Sequence, residues 1–369
     1  MCNISHEHRT PSAKKIAVKA AIGTVLAQDI TEIQPGKVKR TAFKRGHIIR
    51  EEDVCHLQRL GKENLFVLNL SNDEMHEDEA AYALANALMG HGVCIHGEPR
   101  EGKITIIAET DGLLKINREA LLAFNMLGDV MCATLHNNTV VKKGQMVAGT
   151  RAIPLIVKKD VVRLAVRIAE QYGEVIHIKG IKKPKAGVVI TGNEVFYGVI
   201  KDAFAQVITE KIEAIGGEIV GTYYAPDDES FITSRLRELM NAGADILITT
   251  GGMSVDPDDV TRFAIRNLGA SDIVYGSAVL PGAMFLVAYV ERESSVSDSE
   301  ASGPGPPIPI PILGIPACGI YATTTIFDLI LPRVLAGERI DRKQLAELGH
   351  GGLCMKCETC KYPVCPFGK

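Results

Sequence analysis

The sequence has almost no excess of charge and no long hydrophobic run, and these absences exclude several classes of protein. Its 369 residues include 41 Lys and Arg against 44 Asp and Glu, for a formal net charge of -3. A protein that binds nucleic acid through a basic surface would carry an excess of cations. A membrane-spanning helix would need about 18 or more consecutive apolar residues, and the sequence has no such run. We therefore expect neither nucleic acid nor a membrane as a partner.

Two further absences point to the cytoplasm. The first ten residues, MCNISHEHRT, lack the apolar stretch of a signal peptide. Cys55, Cys94, Cys132 and Cys318 lie far apart in apolar or mixed surroundings, which is typical of reduced core thiols and not of a secreted disulfide framework. Hydrophobic residues make up 46% of the chain. We therefore expect a folded cytoplasmic protein, and its length predicts two or three domains.

Changes of pattern along the chain predict four regions. They are a polar tail (1–12), an accessory α+β or β-rich region with a break near 71–76 (13–180), a region of alternating strands and helices (185–340), and a cysteine-rich tail (341–369). Within the third region, residues 294–309 are rich in Ser, Gly and Pro, a composition that predicts a mobile insertion.

The third region alternates regularly between strand and helix patterns. Apolar β-branched runs predict strands at 187–191, 218–223, 245–249 and 310–315, and the intervening segments predict helices at 203–215, 230–242 and 316–335. Such alternation with short turns forms right-handed βαβ units and a mostly parallel sheet. The sequence therefore predicts an α/β fold for this region.

Residues 249–261, TTGGMSVDPDDVT, are the strongest candidate for a ligand site. Gly251 and Gly252 would let the backbone approach a phosphorylated ligand closely, Ser254 adds a hydroxyl, and the acids offer hard oxygens to a divalent cation. A plain glycine turn followed by helix-capping acids is the alternative.

Three other turns also follow predicted strands. Because the carboxyl ends of parallel strands share one edge of a sheet, we expect all four turns to meet there. The predicted contacts are Thr191, Gly192, Asn193, Glu194, Asp227, Asp228, Thr250, Gly251, Gly252, Met253, Ser254, Asp256, Asp258, Asp259, Gly314, Pro316 and Ala317.

Five separated motifs also carry a family resemblance. GVVITGNEV, the PDD turn, TTGGMSVDPDDVT, AVLPGAMF and LGIPAC occur in this order between residues 187 and 318. They resemble the molybdopterin-binding domain of molybdenum cofactor biosynthesis proteins. The N-terminal half more loosely resembles the accessory regions of the MoeA-type molybdopterin molybdenumtransferases, and the whole chain is similar to a MoeA-like branch described only as molybdopterin-binding. The resemblance implies a three-layer αβα domain that binds the pterin dithiolene with its phosphate or adenylate, in a dimer or trimer.

The resemblance also implies roles for single residues. The glycine turn with Ser254 would hold the phosphate, and Asp227 and Asp259 would be the essential acids that hold Mg²⁺ against the adenylate. Glu194 would orient the pterin, and Pro281-Gly282 would lie near molybdate.

Departures from the family pattern weaken the case for molybdate insertion. Leu280 and Ala283 stand where the transferases usually carry lysines, so the attraction for an oxyanion is missing. Asn193 replaces an Asp, and Pro316-Ala317-Cys318-Gly319 replaces a glycine-asparagine-proline turn. Ligand binding is therefore better supported than molybdate insertion.

The tail contains Cys354, Cys357, Cys360 and Cys365 in a C-x2-C-x2-C-x4-C pattern. Four thiols within twelve residues favour one shared metal centre. The pattern resembles that of bacterial ferredoxins with one additional residue, which predicts an iron-sulfur cluster. A tetrathiolate zinc site has the same ligand count and stays open as the alternative.

Two other functions remain as alternatives to a cofactor-synthesising enzyme. The first is a non-enzymatic carrier, chaperone or sensor of the mature cofactor that docks molybdoenzyme clients. The second is a nucleotide pyrophosphatase, because related domains occur in competence-damage proteins.

Overall fold

The computed structural model describes residues 13–34, 38–68, 70–253, 256, 259–291 and 309–369. The chain divides into two compact units, the first ending at Lys179 and the second running from Gly180 to Lys369. The predicted tail at 1–12 and the predicted mobile insertion, apart from Pro309, lie outside the described residues. Among helices of the described ranges, none is both long and apolar enough to span a membrane.

The first unit combines antiparallel strands with four α-helices. Its strands are β1 (Ala13–Ala17), β2 (Ile30–Gln34), β3 (Val38–Phe43), β4 (Asn64–Leu68), β5 (Glu74–His76), β6 (Val93–Arg100), β7 (Lys103–Ala108), β8 (Gly112–Ile116), β9 (Val130–Thr134), β10 (Val140–Val141), β11 (Met146–Ala152), β12 (Ile156–Lys158) and β13 (Ile176–Lys179). Its helices are α1 (Glu51–Arg59), α2 (Glu77–Leu88), α3 (Arg118–Asn125) and α4 (Lys159–Tyr172), with a short 3₁₀ turn at Val18–Ala20.

Two hydrophobic cores hold the first unit together. A small core around Val18, Ile49 and Leu57 lies in the part that contains β1 to β4. A larger core contains Leu84 of α2 and Ile106 of β7, and it includes residues of the four-stranded antiparallel sheet β6-β7-β11-β9. Burial of each such side chain contributes about 1.5–3 kcal/mol, so this α+β unit has an interior of its own.

The second unit is built on one six-stranded sheet. Its strands are β14 (Lys185–Thr191), β15 (Glu218–Ala225), β16 (Ile246–Thr250), β17 (Ser271–Tyr275), β18 (Leu286–Val290) and β19 (Ile310–Ile315). Its helices are α5 (Asn193–Phe196), α6 (Phe204–Ala214), α7 (Glu229–Asn241), α8 (Thr261–Asn267), α9 (Cys318–Tyr321), α10 (Ile326–Leu335) and α11 (Arg342–Glu347). The strand order is β15-β14-β16-β19-β18-β17, with the first four parallel and the last two antiparallel to their neighbours.

Helices cover both faces of this sheet. Successive residues of each central strand point to opposite faces, so each strand contributes side chains to two cores. Val188 packs with Ile208 of α6 in one core that also contains α10, whereas Val189 packs with Leu236 of α7 in the other core. Leu247 and Ile248 of β16 divide between the two cores in the same way. The predicted three-layer αβα architecture is confirmed.

The predicted helix at 316–335 is wrong in one respect, because the structure has two helices there. α9 ends at Tyr321, and α10 begins after Thr325. The Thr325 side chain accepts a hydrogen bond from the N–H of Phe327, and Asp328 accepts one from the N–H of Thr325. This capping box stabilises a new helix start at Ile326.

Candidate functional site

The carboxyl ends of the parallel strands meet at one edge of the six-stranded sheet. In the sheet register, Thr250 of β16 lies beside Ile190 of β14 and Ile315 of β19. Because β18 runs opposite to β19, the loop 276–285 that precedes β18 lies at the same edge. We call this edge the rim, and it comprises the described residues 191–194, 225–228, 250–253, 256, 259–261, 276–285 and 314–319.

After β16, the chain turns closely over the end of β14. Gly251 and Gly252 have φ values of 79° and 57°, in the left-handed region that favours glycine. A Cβ on Gly251 would collide with the Thr191 carbonyl, and one on Gly252 with the Thr261 hydroxyl. The Thr191 hydroxyl donates to the Thr250 carbonyl at 2.8 Å and lies 3.1 Å from the Thr261 hydroxyl. The turn therefore requires both glycines and is fixed by buried threonines.

The end of β16 also carries two buried hydroxyls, those of Thr249 and Thr250. Within the described part of the chain, neither hydroxyl has a hydrogen-bond partner, and both residues are fully buried. An unsatisfied buried donor costs about 1–3 kcal/mol, so this strand end carries a polar cost that the fold itself does not offset.

The loops after β14 and β15 are joined by a reciprocal pair of hydrogen bonds. The Asn193 N–H donates to Asp227 Oδ2 at 3.0 Å, and the Asp227 N–H donates to Asn193 Oδ1 at 3.2 Å. Asp228 instead caps α7, because its carboxylate accepts the Phe231 N–H at 2.7 Å and the Ser230 hydroxyl at 2.6 Å. These hydrogen bonds, that of Ser230 first, lower the pKa of Asp228. The structure thus gives Asp228 a capping role.

The acids before α8 form a compact turn. The Asp256 N–H donates to Asp259 Oδ2 at 2.8 Å, and the Asp259 N–H donates to the Asp256 carbonyl at 3.0 Å. Ser254 and Asp258, both predicted as ligand contacts, lie outside the described residues. Asp227 and Asp259 therefore share one feature, since a backbone N–H orients each carboxylate.

Glu194 is the second residue of α5, and it is exposed. A Cβ on Gly192 would lie 2.8 Å from Glu194 Oε1, so the carboxylate folds back over Gly192, whose φ is 136°. The residues that follow present apolar side chains to solvent, with Tyr197 70% and Val199 77% exposed. The carboxylate thus stands at the border between the rim and an apolar surface.

The loop 276–285 places Pro281 and Gly282 against the start of α10. A Cβ on Gly282 would collide with Ile326, and the Gly282 carbonyl accepts the Ser277 hydroxyl at 2.9 Å. Leu280 is 54% exposed, and Ala283 is also exposed. The positions at which the family resemblance led us to look for cations therefore present apolar groups to solvent.

Three other predicted contacts lie at the end of β19. Gly314 is buried, and a Cβ on it would lie 2.9 Å from the sulfur of Met253, which is itself 3% exposed. Pro316 is buried and Ala317 is exposed at the start of α9. Met253 therefore fills the core below the rim with its side chain, and Ala317 is the accessible residue of this turn.

The cysteine-rich tail docks onto the second unit through groups other than metal ligands. Its loop is closed at the base by a hydrogen bond from the Gly368 N–H to the Gly351 carbonyl at 2.9 Å. Phe367 is 3% exposed and belongs to the core that contains α10. The Tyr362 hydroxyl donates to the Asp328 carbonyl at 3.2 Å, and burial raises the pKa of Tyr362 to about 12.

The tail also contacts the loop 276–285. The Leu280 N–H donates to the Gly352 carbonyl, and the Cys354 N–H donates to the Leu280 carbonyl, both at 2.8 Å. Thr324 Oγ1 lies 3.3 Å from Cys360 Sγ, and this contact lowers the pKa of Cys360. The cysteine loop is therefore attached next to Pro281-Gly282.

The structure does not gather the predicted metal ligands. All four tail cysteines are free, with Cys357 and Cys360 exposed and Cys354 and Cys365 half-buried. Across the described ranges, no group of three or more His, Cys, Asp or Glu side chains is arranged to hold a metal ion. The side chains as placed therefore do not form the predicted iron-sulfur or zinc centre.

Two residues that support the rim were missed by the sequence reasoning. Thr261 closes the glycine turn through its hydroxyl, and the Tyr275 hydroxyl donates to the Met253 carbonyl at 2.5 Å. Thr261 ends the motif at 249–261 and could have been found by its proximity, whereas no local pattern marks Tyr275.

Comparison with known proteins gives two family matches. Residues 187–336 match the family described as a "probable molybdopterin binding domain", and residues 15–69 match a domain of unknown function, DUF8806. A CinA-like protein of Thermosipho melanesiensis is 33% identical over 91 residues, which are 25% of this chain and 22% of that relative. A protein of Pyrobaculum calidifontis is 34% identical over 97 residues, 26% of this chain and 37% of that relative.

Solved structures also match parts of the chain. The molybdopterin biosynthesis enzyme MoaB of Thermus thermophilus is 20% identical, with a TM-score of 0.32, and the match covers 42% of this chain and 98% of that one. A molybdenum cofactor biosynthesis protein of Pyrococcus furiosus is 14% identical, with a TM-score of 0.24, and the match covers 91% and 65%.

The family match begins in β14 and ends after α10, so it spans the parallel strands and all the turns of the rim. Over residues 187–336, the chain is therefore similar to the molybdopterin-binding domain family.

Proposed function

We propose that the rim binds molybdopterin, either free or as its adenylate. The observation that supports this most is the convergence of a two-glycine turn and two oriented carboxylates at one edge of a molybdopterin-binding domain. Asp227 and Asp259 follow the strands on either side of β14, so both lie at the carboxyl-end edge of the sheet. A phosphorylated pterin has the anionic end and the hydrogen-bonding ring that such a site would take.

The proposal assigns a part of the ligand to each turn. Backbone amides of the turn at Gly251 and Gly252 would hold the phosphate, together with the Ser254 hydroxyl. Glu194 would accept hydrogen bonds from the amino and ring nitrogens of the pterin. Pro281-Gly282 would bound the dithiolene end, where molybdate enters in the related transferases.

Magnesium is compatible with the donors that the rim offers. Mg²⁺ is usually held by one or two carboxylates and fills its other positions with water and phosphate oxygens. Asp227 and Asp259 each use one carboxylate oxygen to accept a backbone N–H, which fixes their orientation. They are the residues that would hold the ion, and the ion would neutralise charge on the adenylate.

The exposed apolar residues of the loop 276–285 favour a second function, that of a carrier that binds the cofactor without turnover. Leu280 and Ala283 are exposed and apolar where the resembling transferases carry cations. A site without those cations would bind the pterin but attract molybdate poorly. Binding of the pterin without release of AMP would identify the carrier.

The test uses adenylated molybdopterin, Mg²⁺ and the full chain. In an Asp259→Asn variant we expect AMP release to fall about a hundredfold, since one electrostatic contact to the reacting group is lost. Asp245→Asn is the matched control, because Asp245 precedes β16 at the opposite edge, where its carboxylate accepts the Lys185 N–H. Unchanged AMP release and unchanged pterin binding in Asp259→Asn would reject the assignment.

The remaining alternative, a nucleotide pyrophosphatase of the competence-damage type, can be distinguished from a molybdopterin-binding protein by its substrate. Metal-dependent cleavage of ADP-ribose by a protein that shows no affinity for the pterin would select that function instead.

The tail carries a narrower proposal, namely that its four thiols take up one soft metal as zinc or an iron-sulfur cluster. The chemistry of the thiols suits either centre, but the side chains are not gathered, so no step of the proposed function depends on a metal there. Iron, sulfide and zinc would be measured in protein purified without oxygen, and the absence of all three would reject this proposal.

A further inference from the structure

Arg262 is a cation next to the rim, and no sequence motif assigns it a role. It is the second residue of α8, directly after the acidic turn. Its guanidinium carbon lies 4.5 Å from the centre of the Tyr275 ring. The hydroxyl of Tyr275 in turn donates to the Met253 carbonyl, next to the glycine turn. Stacking thus holds the guanidinium beside Tyr275, whose hydroxyl contacts the residue that follows the glycine turn.

Among the described residues, no acceptor pairs with the guanidinium of Arg262. Within the ranges that the structure describes, Arg262 forms no ion pair and no side-chain hydrogen bond, and its Nε is buried without a partner. Two other arginines of this unit have partners, since Arg333 pairs with Glu338 and Arg342 donates to the Gly276 carbonyl at 2.8 Å. An orphaned buried donor is costly, and a ligand that accepts from it removes that cost.

We infer that Arg262 binds the tetrahedral oxyanion of the ligand at the rim. A guanidinium presents parallel N–H donors that match two oxygens of a phosphate or a molybdate, and stacking on an aromatic ring leaves its edge available for them. Arg262 thereby supplies a cation to a site whose Leu280 and Ala283 supply none. This inference rests on the proposed function for the identity of the ligand, but not for the chemistry of the oxyanion.

The first arm of the test uses inorganic phosphate and molybdate as probes, titrated into the full chain by calorimetry. We expect Arg262→Gln to weaken binding of at least one probe about tenfold, the effect of one charge-assisted contact. Arg266→Gln is the matched control, because Arg266 lies one turn further along α8, is exposed, and lies 6.0 Å from the centre of the Phe263 ring. Binding by the wild type that Arg262→Gln leaves unchanged, or no binding of either probe by the wild type, would overturn the inference.

The second arm tests whether the oxyanion is a phosphate or molybdate. It also separates a failure of this inference from a failure of the proposed function. If Arg262 holds the terminal phosphate, Arg262→Gln loses affinity for the phosphorylated pterin but not for the same pterin after phosphatase treatment. If it holds molybdate, the loss appears only when molybdate is added to pterin-loaded protein. Loss of the inorganic probes in Arg262→Gln, with no pterin binding by the wild type, would reject the proposed function and retain the oxyanion site.

Discussion

Asn193 shows how a single amide can hold two loops together at the rim. Its Oδ1 accepts the Asp227 N–H while its own N–H donates to Asp227 Oδ2. A carboxylate at this position could accept the same hydrogen bond, but it would add a second negative charge beside Asp227. In the absence of a cation, the amide is therefore the less repulsive choice.

This comparison predicts the behaviour of an Asn193→Asp variant. Without divalent cations, we expect it to lose about 1 kcal/mol of stability, because two like charges a few ångströms apart repel by that amount near water. Mg²⁺ should restore the loss by binding both carboxylates. Thermal unfolding with and without Mg²⁺ measures this, and Asn193→Ala, which adds no charge, should show a loss that Mg²⁺ does not change. A similar response of the two variants to Mg²⁺ would contradict the account.

His76 predicts a dependence of stability on pH in the first unit. It is 2% exposed, its Nδ1 accepts the Asp78 N–H at 3.2 Å, and its Nε2 lies 3.0 Å from the Ala27 carbonyl. This arrangement suits a neutral ring with its proton on Nε2. Burial, followed by the charge of Arg45, lowers the pKa of His76 below its usual 6.5, although Asp78 and Glu79 oppose the shift.

Because the folded pKa is lowered, the unfolded chain takes up a proton first as the pH falls. Stability should therefore decrease below about pH 6.5, by at most about 1.4 kcal/mol per pH unit, until the folded pKa is reached. Urea unfolding at pH 7.5, 6.5 and 5.5 measures the slope. Burial raises the pKa of Glu77, which acts in the opposite direction, so the wild type must be compared with His76→Gln. Identical slopes in the two proteins would exclude His76 as the cause.

Among the elements of the second unit, the turn between β16 and α8 requires glycine at position 252, because any side chain there would collide with Thr261. Gly252→Ala should cost about 1–3 kcal/mol, because it combines a left-handed φ with a Cβ that meets the Thr261 hydroxyl. Gly243→Ala is the matched control, since its φ is 98° but a Cβ there would meet nothing within 4 Å. The difference in the free energy of unfolding between the two variants, measured in urea, reports the cost of the collision. Equal losses would show that a Cβ at position 252 does not collide with Thr261.

The tail is an element anchored by apolar burial. Phe367→Ala should destabilise its docking by about 3–5 kcal/mol, the usual cost of truncating a buried Phe, and expose the tail to proteolysis. Cys357→Ser should leave the tail protected, because Cys357 is exposed and free. Limited proteolysis followed by mass measurement of the fragments reads both results. Release of the tail in Cys357→Ser, but not in Phe367→Ala, would show that thiol chemistry holds it.

The regular βα alternation made β14, β15, β16 and β19 predictable, because a strand buried on both faces has an apolar run that a short turn ends. The capping box at Thr325 was not recognised, so one helix was predicted where two exist. β17 and β18 were not identified, because the sequence reasoning treated the segment around AVLPGAMF only as a motif. The docking of the tail depends on long-range contacts such as that of Phe367, which no local pattern encodes.

For the rim, sequence alone predicted which turns would share an edge, because the direction of parallel strands determines it. It could not predict the partners within that edge. The capping role of Asp228, the burial of Met253 and the stacking of Arg262 on Tyr275 all arise from packing between elements.

At the scale of the whole molecule, the described residues of the rim all belong to the second unit. The first unit, which includes the match to a domain of unknown function, has its own cores and no assigned chemistry. Assembly as a dimer or trimer stays a prediction, and light scattering on the purified chain would measure it. The proposed binding of molybdopterin at the rim concerns the second unit alone.

The most direct test is native mass spectrometry of the full chain, purified without oxygen from its own host, followed by identification of any released ligand. We expect an adduct with the mass of molybdopterin or its adenylate, and weaker retention of that adduct by Asp259→Asn than by Asp245→Asn. A chain that carries only a nucleotide, or that binds no added molybdopterin after purification, would contradict it.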